Sequence, residues 1–445
     1  MSEMLSQQGT TGETLRGGDV QVHKVLLHSS QHTAPFDLIE LWKNISIYED
    51  IETNYIRGEI TITDSQNILI NAPVINNEKL EIEFKTPSHP NMYKFSGMIT
   101  EVTSQVDVRQ GMMMYVIRFI TPEFIRNQKT KFSKSFANLP VSAMVERIYN
   151  NYIKDVSGKK LNIFATTDPV SRVVPMMSPF KAINWLSKWA ISSLYKDSPS
   201  YIFFENQHGY YFGPIDSLID SDTHSQPAAI YSKDVVIAQE GAAKDINTGF
   251  YQINEHSAHT PDVLHGISEG LFSSQVMSHD IVLRSIGTKS FNYFESYDKT
   301  KHLDANAIHN DKSLGSSPTS YVINSGEHYS MYGSTSYNDV SSSTRISQLS
   351  QLKLVELSIT VPGDSDRTAG EVIQVDLPAI GLNTLEGTEG SQDKYKSGRY
   401  LISAIRHQIK RASTGQKDKY TLHMNVVKDS YMAELPQHLV THFRL

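Results

Sequence analysis

One segment of the sequence has the pattern of a serine hydrolase nucleophile. Gly266-Ile267-Ser268-Glu269-Gly270 follows the spacing Gly-x-Ser-x-Gly, which presents a serine hydroxyl on a sharp turn between a strand and a helix. Here Thr260-Pro261-Asp262 precedes the pattern and predicts a helix cap, which would place Ser268 late in a helix. Because this context lacks the required strand, we predict no catalytic residue and no enzymatic activity.

A group of histidines just before this segment could suggest a metal site. His256, His259, Asp262 and His265 follow one another at three-residue steps, which could bring them near one face of a helix. Pro261 would interrupt that helix, and helical ligand pairs usually have the spacing i, i+4. We therefore expect histidines in solvent or at a subunit interface, and no metal.

Two further pairs have a structural explanation. Asp364 and Asp366 could suggest calcium, but no EF-hand loop with a closing Glu follows, so we expect turn residues. Trp185 and Trp189 lie four residues apart, which favours packing in a core over a carbohydrate platform. The sequence predicts no cofactor.

Composition excludes several classes of protein. The 445 residues are enough for two to four domains, and cysteine is absent, which excludes disulfides, thiolate zinc sites and cysteine nucleophiles. The net charge of −7, without a basic block, argues against nucleic-acid binding by neutralising phosphates. No apolar run approaches the roughly 18 residues of a membrane helix, so no membrane insertion is expected. Residues 1–19 are polar and lack the layout of a signal peptide, which predicts a flexible arm.

The patterning is mainly that of β-strands, with helices in the middle of the chain. Residues 36–64 and 80–84 alternate in strand fashion, and 98–108 with 115–120 predict a hairpin. The middle predicts two helices, one from Val141 to about Tyr152 and one that begins at Ser178-Pro179, and a hairpin of Tyr201–Phe204 with Tyr210–Phe212. Residues 304–344 are rich in Ser, Asn, Gly and His, which predicts a long surface excursion or disorder.

The most informative feature is an internal repeat. Residues 98–107 align without gaps on 401–410 (401 − 98 = 303), and 115–119 align on 420–424 (420 − 115 = 305). Upstream, Leu80, Ile82 and Phe84 correspond to Ile373, Val375 and Leu377. In each copy the apolar residues recur on one face, namely Met98, Val102 and Val106, and Leu401, Ile405 and Ile409. Agreement in order and phase favours a duplicated β-domain.

Several segments resemble, in the same order along the chain, motifs of the central hub proteins of contractile phage-tail baseplates. They are Val361–Asp364 followed by Ala369–Ile373, the strand Gly398–His407, the last strand Tyr420–Asp429, the helix opening Ser178–Leu186, and the crossing Gly270–Ser274 with His279–Ile281. The hub half of type VI secretion spike proteins is similar. Together these segments cover most of the chain from about Phe36 to Asp429. None of them is specific alone, and residues 304–344 are long for the family.

This resemblance implies a mainly β fold with an α+β insertion. Two related tube-type antiparallel β-barrel domains per chain would form a pseudo-sixfold ring in a homotrimer. The hub would connect the sixfold tail tube, or a tube-initiator protein, above with a threefold spike or cell-puncturing protein below, among baseplate wedge proteins. Phage DNA would pass through without specific binding. The protein would be a structural component of the virion, assembled in the host cytoplasm.

The predicted domain boundaries follow from these patterns. We expect a flexible N-terminal arm (1–19), a first tube-type β domain (20–126), an inserted α+β domain (127–235), a second tube-type β domain (236–285 and 350–432), a partly flexible surface excursion (286–349) and a C-terminal tail (433–445).

The implied ring would have a channel wide enough for duplex DNA. About 24 strands, spaced about 4.8 Å apart and tilted about 40°, give a backbone diameter near 50 Å and roughly 30 Å between side chains. The polar faces of the tube-type sheets should line this channel. The expected channel-lining residues are Glu81, Glu83, Glu101, Gln105, Asp107, Gln374, Asp376, Arg406, Gln408 and Lys410.

Two other functions remain possible from the sequence. One is a peptidoglycan hydrolase associated with the baseplate, although nothing marks an acid–base pair of carboxylates. The other is a receptor-binding tail protein, which would predict a repetitive or fibrous C-terminus. Oligomeric mass in solution and a zymogram on cell-wall substrate would distinguish them from a hub.

Overall fold

The structure is a computed structural model that describes residues 16–435 with short gaps. The gaps are residues 30–31, 72–73, 75–77, 88, 168, 196–197, 221–225, 234–248, 250, 260–261, 281–283, 317, 319, 327–337, 380–391 and 413–415. Most of the predicted N-terminal arm and C-terminal tail, and the Thr260-Pro261 part of the predicted helix cap, lie outside the described residues.

Strands dominate the described residues, and most of them pair in antiparallel fashion. In chain order they are β1 Gln21–His28, β2 Phe36–Asp37, β3 Trp42–Asp50, β4 Arg57–Asp64, β5 Lys79–Lys85, β6 Tyr93–Arg109, β7 Met112–Ile120, β8 Phe132–Leu139, β9 Leu161–Ile163, β10 Val170–Met177, β11 Tyr201–Asn206, β12 Gly209–Pro214, β13 Ile230–Ser232, β14 Glu255–His259, β15 Ser273–Asp280, β16 Ser285–Asn292, β17 Asn306–Ala307, β18 Ser320–Gly326, β19 Val355–Pro362, β20 Val372–Asp376, β21 Gly398–Lys410, β22 Lys419–Lys428 and β23 Ser430–Tyr431.

The helices are fewer and mostly short. They are α1 Ile68–Asn71, α2 Pro122–Lys129, α3 Val141–Tyr152, α4 Pro179–Leu186, α5 Asp216–Ile219, α6 Val263–Glu269, α7 Tyr293–Ser296 and α8 Asn338–Leu352. None of the described helices is both long and apolar enough to span a bilayer. Helices α3 and α4 begin where the sequence predicts, after Pro140 and with Pro179 as the first helical residue.

The largest sheet of the described residues has 13 strands. Its strand order is β14-β19-β22-β21-β3-β4-β7-β6-β5-β1-β2, with β20 beside β21 and β13 beside β20. The strands alternate buried and more exposed residues, as in β4, where Ile60 and Ile62 are fully buried. Because the side chains of a strand alternate between two faces, one face of this sheet covers a continuous apolar core shared by both halves of the chain.

Eight strands of this sheet form two units with the same arrangement. Strands β3-β4-β7-β6 make one antiparallel four-stranded unit, and β14-β19-β22-β21 make the other in the same order. The last strand of the second unit, β21, pairs with the first strand of the first unit, β3, from Ala404 opposite Asp50 to Lys410 opposite Asn44. The two units therefore form one continuous eight-stranded surface.

The hydrogen-bond register confirms two parts of the predicted repeat. Met98 pairs with Lys79, the residue before Leu80, and its equivalent Leu401 pairs with Val372, the residue before Ile373. Strands β5 and β20 therefore correspond as the sequence predicts. Each long strand also carries a β-bulge at the same place in the repeat. One lies between Ile99 and Glu101 of β6, and the other between Ile402 and Ala404 of β21 (402 − 99 = 303). Because a bulge adds a residue and bends the strand at a defined point, this match is strong evidence of duplication.

The alignment of the following strand is wrong by two residues. Val102 lies opposite Ile117, and its equivalent Ile405 lies opposite Met424, so the offset of β7 to β22 is 424 − 117 = 307 and not 305. The matching tyrosines Tyr115 and Tyr420 suggested the wrong offset, whereas the backbone hydrogen bonds determine the register.

The predicted apolar face of β6 is also wrong in part. The bulge reverses the phase, so that Ile99 and not Met98 lies in the core, and Val106 is 53% exposed. A second irregularity separates Thr103 from Val106, where Ser104 has a positive φ of 55°. In β21 the residues after the bulge, Ile405 and Ile409, are buried as predicted.

Residues 132–212 contain a second hydrophobic core. Helices α3 and α4 pack with strands β8 to β12, and the predicted hairpin is formed by β11 and β12. Its largest buried side chains include Tyr149, Tyr201 and Tyr210. This arrangement is an α+β unit, inserted between β7 and the strands of the second four-stranded unit.

Part of the predicted surface excursion, 286–349, packs into the main core. Strand β16 pairs with β15, and β18 pairs with β15 on its other side, which makes a three-stranded sheet against which α8 packs. Tyr293, Leu303 and Ile308 are at most 4% exposed. Its polar composition suggested a surface loop, but these scattered apolar residues are sufficient to anchor it.

Candidate functional surface

The candidate site is the outward polar face of the eight-stranded surface, which we call the polar face. Residues directly opposite one another in antiparallel strands share a face, so the register assigns each side chain. The polar face carries Glu255, Ser257 and His259 of β14; Glu356, Ser358 and Thr360 of β19; Lys419, Thr421, His423 and Asn425 of β22; Arg406, Gln408 and Lys410 of β21; Asn44, Ser46, Tyr48 and Asp50 of β3; Arg57, Glu59 and Thr61 of β4; Val116 and Arg118 of β7; and Glu101 and Thr103 of β6.

Charges of both signs are interspersed on the polar face. Arg118 donates to Glu101 at 2.8 Å, and Arg406 lies 3.8 Å from Glu59. The guanidinium groups of Arg57 and Arg406 lie 5.5 Å and 5.3 Å from the centre of the Tyr48 ring. These three arginines are therefore paired with carboxylates or stacked on an aromatic ring, whereas Lys410 and Lys419 lie exposed and opposite each other at one end of the polar face.

The register places only some of the expected channel-lining residues on the polar face. Glu101, Arg406, Gln408 and Lys410 lie there. Asp107 does not, because it lies opposite Met113, which shares a face with the buried Tyr115. Gln105 falls within the second irregularity of β6, and both residues are exposed. The bulge between Thr103 and Val106 is the physical reason why Asp107 lies on the face opposite Glu101.

The remaining expected residues lie on the flanking strands. Glu81 and Glu83 of β5 point away from the core, and Lys24 of β1 lies 2.5 Å from Glu81. The Lys24 ammonium and Lys79 lower the pKa of Glu81 to about 2. Gln374 and Asp376 of β20 also point away from the core, and they hydrogen-bond to each other at 3.1 Å.

Sequence reasoning missed the polar residues of β3 and β4. Tyr48, Arg57 and Glu59 lie at the centre of the polar face, where Tyr48 donates to Glu59 at 3.1 Å. The alternation in residues 58–64 indicated a strand, but only the β21–β3 pairing shows that these residues continue the polar face of the other unit.

A buried polar network lies beneath the polar face, next to the β21–β3 junction. Glu49 of β3 is 1% exposed and accepts hydrogen bonds from Tyr93 at 2.7 Å, from Ala369 N–H at 3.1 Å and from the Thr368 hydroxyl. Burial raises the pKa of Glu49, although these donors oppose the shift. The neighbouring His407 is fully buried, and burial lowers its pKa to about 3, so its ring is neutral at neutral pH. Because the polar groups of this network are out of solvent and hydrogen-bonded, they favour one defined geometry next to the junction.

The serine motif is not in the context of a nucleophile. Ser268 lies in the last turn of α6, as predicted, and its hydroxyl donates to the backbone oxygen of His265 at 2.8 Å. Asp262 caps this helix by accepting from His265 N–H. His256 and His259 lie in β14, three residues apart and on opposite faces of the strand, so the four residues do not share a helix.

Asp364 and Asp366 form a turn and contact a histidine that the sequence did not indicate. Asp366 N–H donates to Asp364 at 2.9 Å, as expected of turn residues. His89 lies with Nδ1 2.8 Å from Asp366 and Nε2 3.5 Å from Asp364. These three residues could hold a metal ion by proximity. The two nitrogens face different carboxylates, however, and Arg367 donates to Asp364 at 3.0 Å, which is the geometry of an ion-paired clamp.

Trp185 and Trp189 pack edge to face, with ring centres 4.2 Å apart, against the core of the α+β unit. This is the packing role that their spacing predicts.

Solved structures with a similar fold are tail proteins. The tail protein from Neisseria meningitidis MC58 matches with a TM-score of 0.52 and 11% identity, over 93% of this chain and 99% of that chain. The 43 kDa tail protein of prophage MuSo2 from Shewanella oneidensis matches with a TM-score of 0.52 and 11% identity, over 92% and 99%. The fold is that of these tail proteins. The resemblance of the sequence motifs predicted such a fold.

A third structure is an E. coli component of the type VI secretion system, described as similar to T4 bacteriophage tail proteins. It matches with a lower TM-score of 0.43 and 10% identity, over 91% of this chain and 77% of that chain. No protein-family model matches the sequence, and no curated protein matches it.

Proposed function

We propose that this protein is the central hub of a contractile phage-tail baseplate, a non-enzymatic structural subunit that assembles as a homotrimer. The observation that carries the proposal is the pairing of β21 with β3, which joins two equivalent four-stranded units side by side. A junction between equivalent units can be repeated, and a repeated junction closes a ring if the rotation allows it.

Among the described residues, two strands have the unpaired edges that a junction between two copies of the chain would need. Residues 101–107 of β6 correspond to residues 404–410 of β21, which pair with β3, and in the described chain they pair only with β7. Strand β14 corresponds to β3 and pairs only with β19. Because an unpaired strand edge is a template for another strand, β6 of one copy and β14 of the next form the expected subunit junction.

The in-chain junction predicts the register of the junction between copies. Arg406 lies opposite Tyr48. The repeat offset of 303 makes Thr103 the equivalent of Arg406 (406 − 303). His259 is the equivalent of Tyr48, because His259 pairs with Glu356 of the next strand as Tyr48 pairs with Arg57 (offsets 259 − 48 = 211 and 356 − 57 = 299). Thr103 of one copy should therefore lie opposite His259 of its neighbour. Three chains with eight strands each give the ring of about 24 strands whose channel admits duplex DNA.

In this ring the polar face lines the channel. Its interspersed charges of both signs, with the arginines paired or stacked, support passage of DNA without specific binding, since few phosphate counterions would be released. The pseudo-sixfold end of the ring would contact the tail tube or its initiator, the threefold end would contact a spike protein, and wedge proteins would surround it. The fold of the two tail proteins supports a role in the virion tail.

Cysteine cross-linking tests the trimer and its register directly. The chain has no cysteine, so a variant with Thr103→Cys and His259→Cys reports only the proposed contact. Paired Cα atoms of neighbouring strands can lie within the range that a disulfide spans. A matched variant with Arg406→Cys and Tyr48→Cys occupies the equivalent in-chain position and should form an intramolecular disulfide.

Non-reducing gels of the first variant should show covalent dimers and trimers and nothing larger, and light scattering of the native protein should give the mass of three chains. A ladder that continues to six chains would contradict the two-units-per-chain arrangement. A native trimer without cross-links, when the in-chain pair does cross-link, would refute the register.

A further inference from the structure

A lysine and an aspartate are enclosed together where the last long strand leaves the main sheet. Lys428, at the end of β22, is fully buried, and its Nζ lies 3.8 Å from Oδ2 of Asp304. The Lys428 ammonium donates to the backbone oxygen of Ser397 at 2.8 Å and lies 4.9 Å and 5.4 Å from the ring centres of Tyr400 and Tyr431. Aromatic rings and backbone therefore surround the amine in place of water.

The facing carboxylate is only half satisfied. Asp304 Oδ1 accepts from Arg399 N–H at 3.4 Å, whereas the buried Oδ2 has no hydrogen-bond partner. Gly398 makes room for this oxygen, because a Cβ on Gly398 would collide with it, and its φ of +133° also favours glycine. The chain thus holds the free oxygen of Asp304 towards Lys428 without engaging it elsewhere.

The surroundings favour the uncharged forms of both groups. Burial lowers the pKa of Lys428 to about 8, although Asp304, Asp393 and Asp429 oppose the shift. Burial raises the pKa of Asp304 to about 6, although Lys428 opposes it. A neutral amine is the nucleophile and a protonated carboxyl is the electrophile in amide formation, so the pair spends more time in reactive forms than an exposed pair would.

We propose that Lys428 and Asp304 form an intramolecular isopeptide bond. Nζ of the neutral lysine attacks Cγ of the protonated Asp304 carboxyl, and a C–N bond forms. The nitrogen then loses a proton, the C–O bond of the carboxyl hydroxyl breaks, and the hydroxyl leaves with a proton as one water. No oxidant, reductant or other reactant is needed. The distance of 3.8 Å joins Nζ and Oδ2, and for the attack Nζ must approach Cγ to about 3–3.5 Å.

The bond would join two distant parts of the chain. Asp304 precedes β17, and β17 pairs with β23 directly after Lys428. The cross-link would therefore fasten the segment 286–349 to the last strand of the main sheet. A covalent connection at this point would resist separation under mechanical load, and it does not depend on the trimer.

The protein already contains a suitable control. Lys353 and Glu52 lie closer together, at 2.5 Å, but their side chains are 62% and 58% exposed. Water surrounds both side chains and nothing encloses them together, so this pair should remain a simple ion pair. Comparison of the two pairs therefore shows whether a short distance is sufficient for the bond or whether enclosure is also required.

Intact-mass spectrometry of the purified full chain tests the proposal. The wild-type protein should weigh one water less than its sequence, and trypsin should leave the Lys428–Asp429 peptide bond uncut and yield one branched peptide joining the segments around residues 304 and 428. Lys428→Met and Asp304→Ala should each restore the full mass, whereas Lys353→Met should keep the loss of water. Gly398→Ala, which displaces the carboxylate, should reduce the cross-linked fraction severalfold.

A folded wild-type protein with the full sequence mass would overturn the proposal. A water loss that persists in Lys428→Met, or that maps to a linear peptide, would also overturn it, because the loss would then come from other chemistry such as cyclisation of an aspartate. Circular dichroism of each variant establishes that it is folded, and the branched peptide of the wild type stands whether or not a variant folds.

Discussion

Two residues that are equivalent in the repeat should respond very differently to truncation. Ile409 of β21 and Val106 of β6 align in sequence (409 − 106 = 303), and alternation predicts that both face a core. In the structure Ile409 is fully buried, whereas Val106 is 53% exposed because two bulges precede it. Alanine substitution at each position therefore compares burial at matched sites.

The expected losses follow from burial. Ile409→Ala removes three carbon groups at about 0.8 kcal/mol each, and the cavity left in a packed core raises the total to about 3–4 kcal/mol. Val106→Ala removes two such groups from a side chain that is only about half buried, which gives at most about 0.8 kcal/mol. No cavity forms there, because solvent can fill the space.

Urea unfolding followed by circular dichroism and tryptophan fluorescence measures both values. We expect a clear fall of the midpoint for Ile409→Ala, a small one for Val106→Ala, and an unchanged dependence on urea concentration. The conservative Ile409→Val should cost about 1 kcal/mol. Equal losses for the two alanine variants would refute the reasoning, because they would mean that the repeat keeps its phase through β6.

Three further outcomes are expected. Burial raises the pKa of Glu205 from 4.5 to about 7, so between these pH values the folded state holds a proton that the unfolded state releases. The free energy of unfolding should therefore fall as the pH rises from about 4.5 to about 7. Urea titrations across this range should show a shallower fall for Glu205→Gln. Gly370→Ala should lower the melting temperature more than Gly111→Ala. Both glycines have a positive φ (91° and 76°), but only a Cβ at Gly370 would meet a neighbour, the Phe204 ring at 2.9 Å. Similar melting temperatures for the two variants would argue against that contact. Ser268→Ala should change the free energy of unfolding by less than about 0.5 kcal/mol and leave a cell-wall zymogram unchanged, and an activity lost with this variant would reveal chemistry at the motif.

Local patterns predicted the elements whose signals lie within a few residues. Proline at the first helical position marked α4, and alternation marked β4. Helix α3 and the β11–β12 hairpin were also predicted, because their apolar spacing and turn residues are local properties of the chain. The order of the motifs along the chain, and not any one of them, predicted the tail-protein fold.

Irregular backbone was beyond prediction from the sequence. The bulges of β6 moved Asp107 to the face opposite Glu101 and exposed Val106, although the residues alternate as in a regular strand. A bulge adds a single residue without a consistent sequence signal, and its effect is to exchange the faces of every residue that follows it. In the polar segment 286–349 the apolar residues Tyr293, Leu303 and Ile308 are buried, and their scattered spacing gives no periodic signal in the sequence.

The sequence by itself determined that the chain is β-rich, free of cysteine, and duplicated, because composition and repetition are properties of the chain alone. Only the tertiary structure decided that the two units share one sheet through β21 and β3, and that Lys428 is enclosed with Asp304, which is 124 residues away (428 − 304). Hydrogen bonds between distant strands and the exclusion of water from a side chain depend on contacts that folding creates. Such contacts leave no periodic pattern in either segment taken alone.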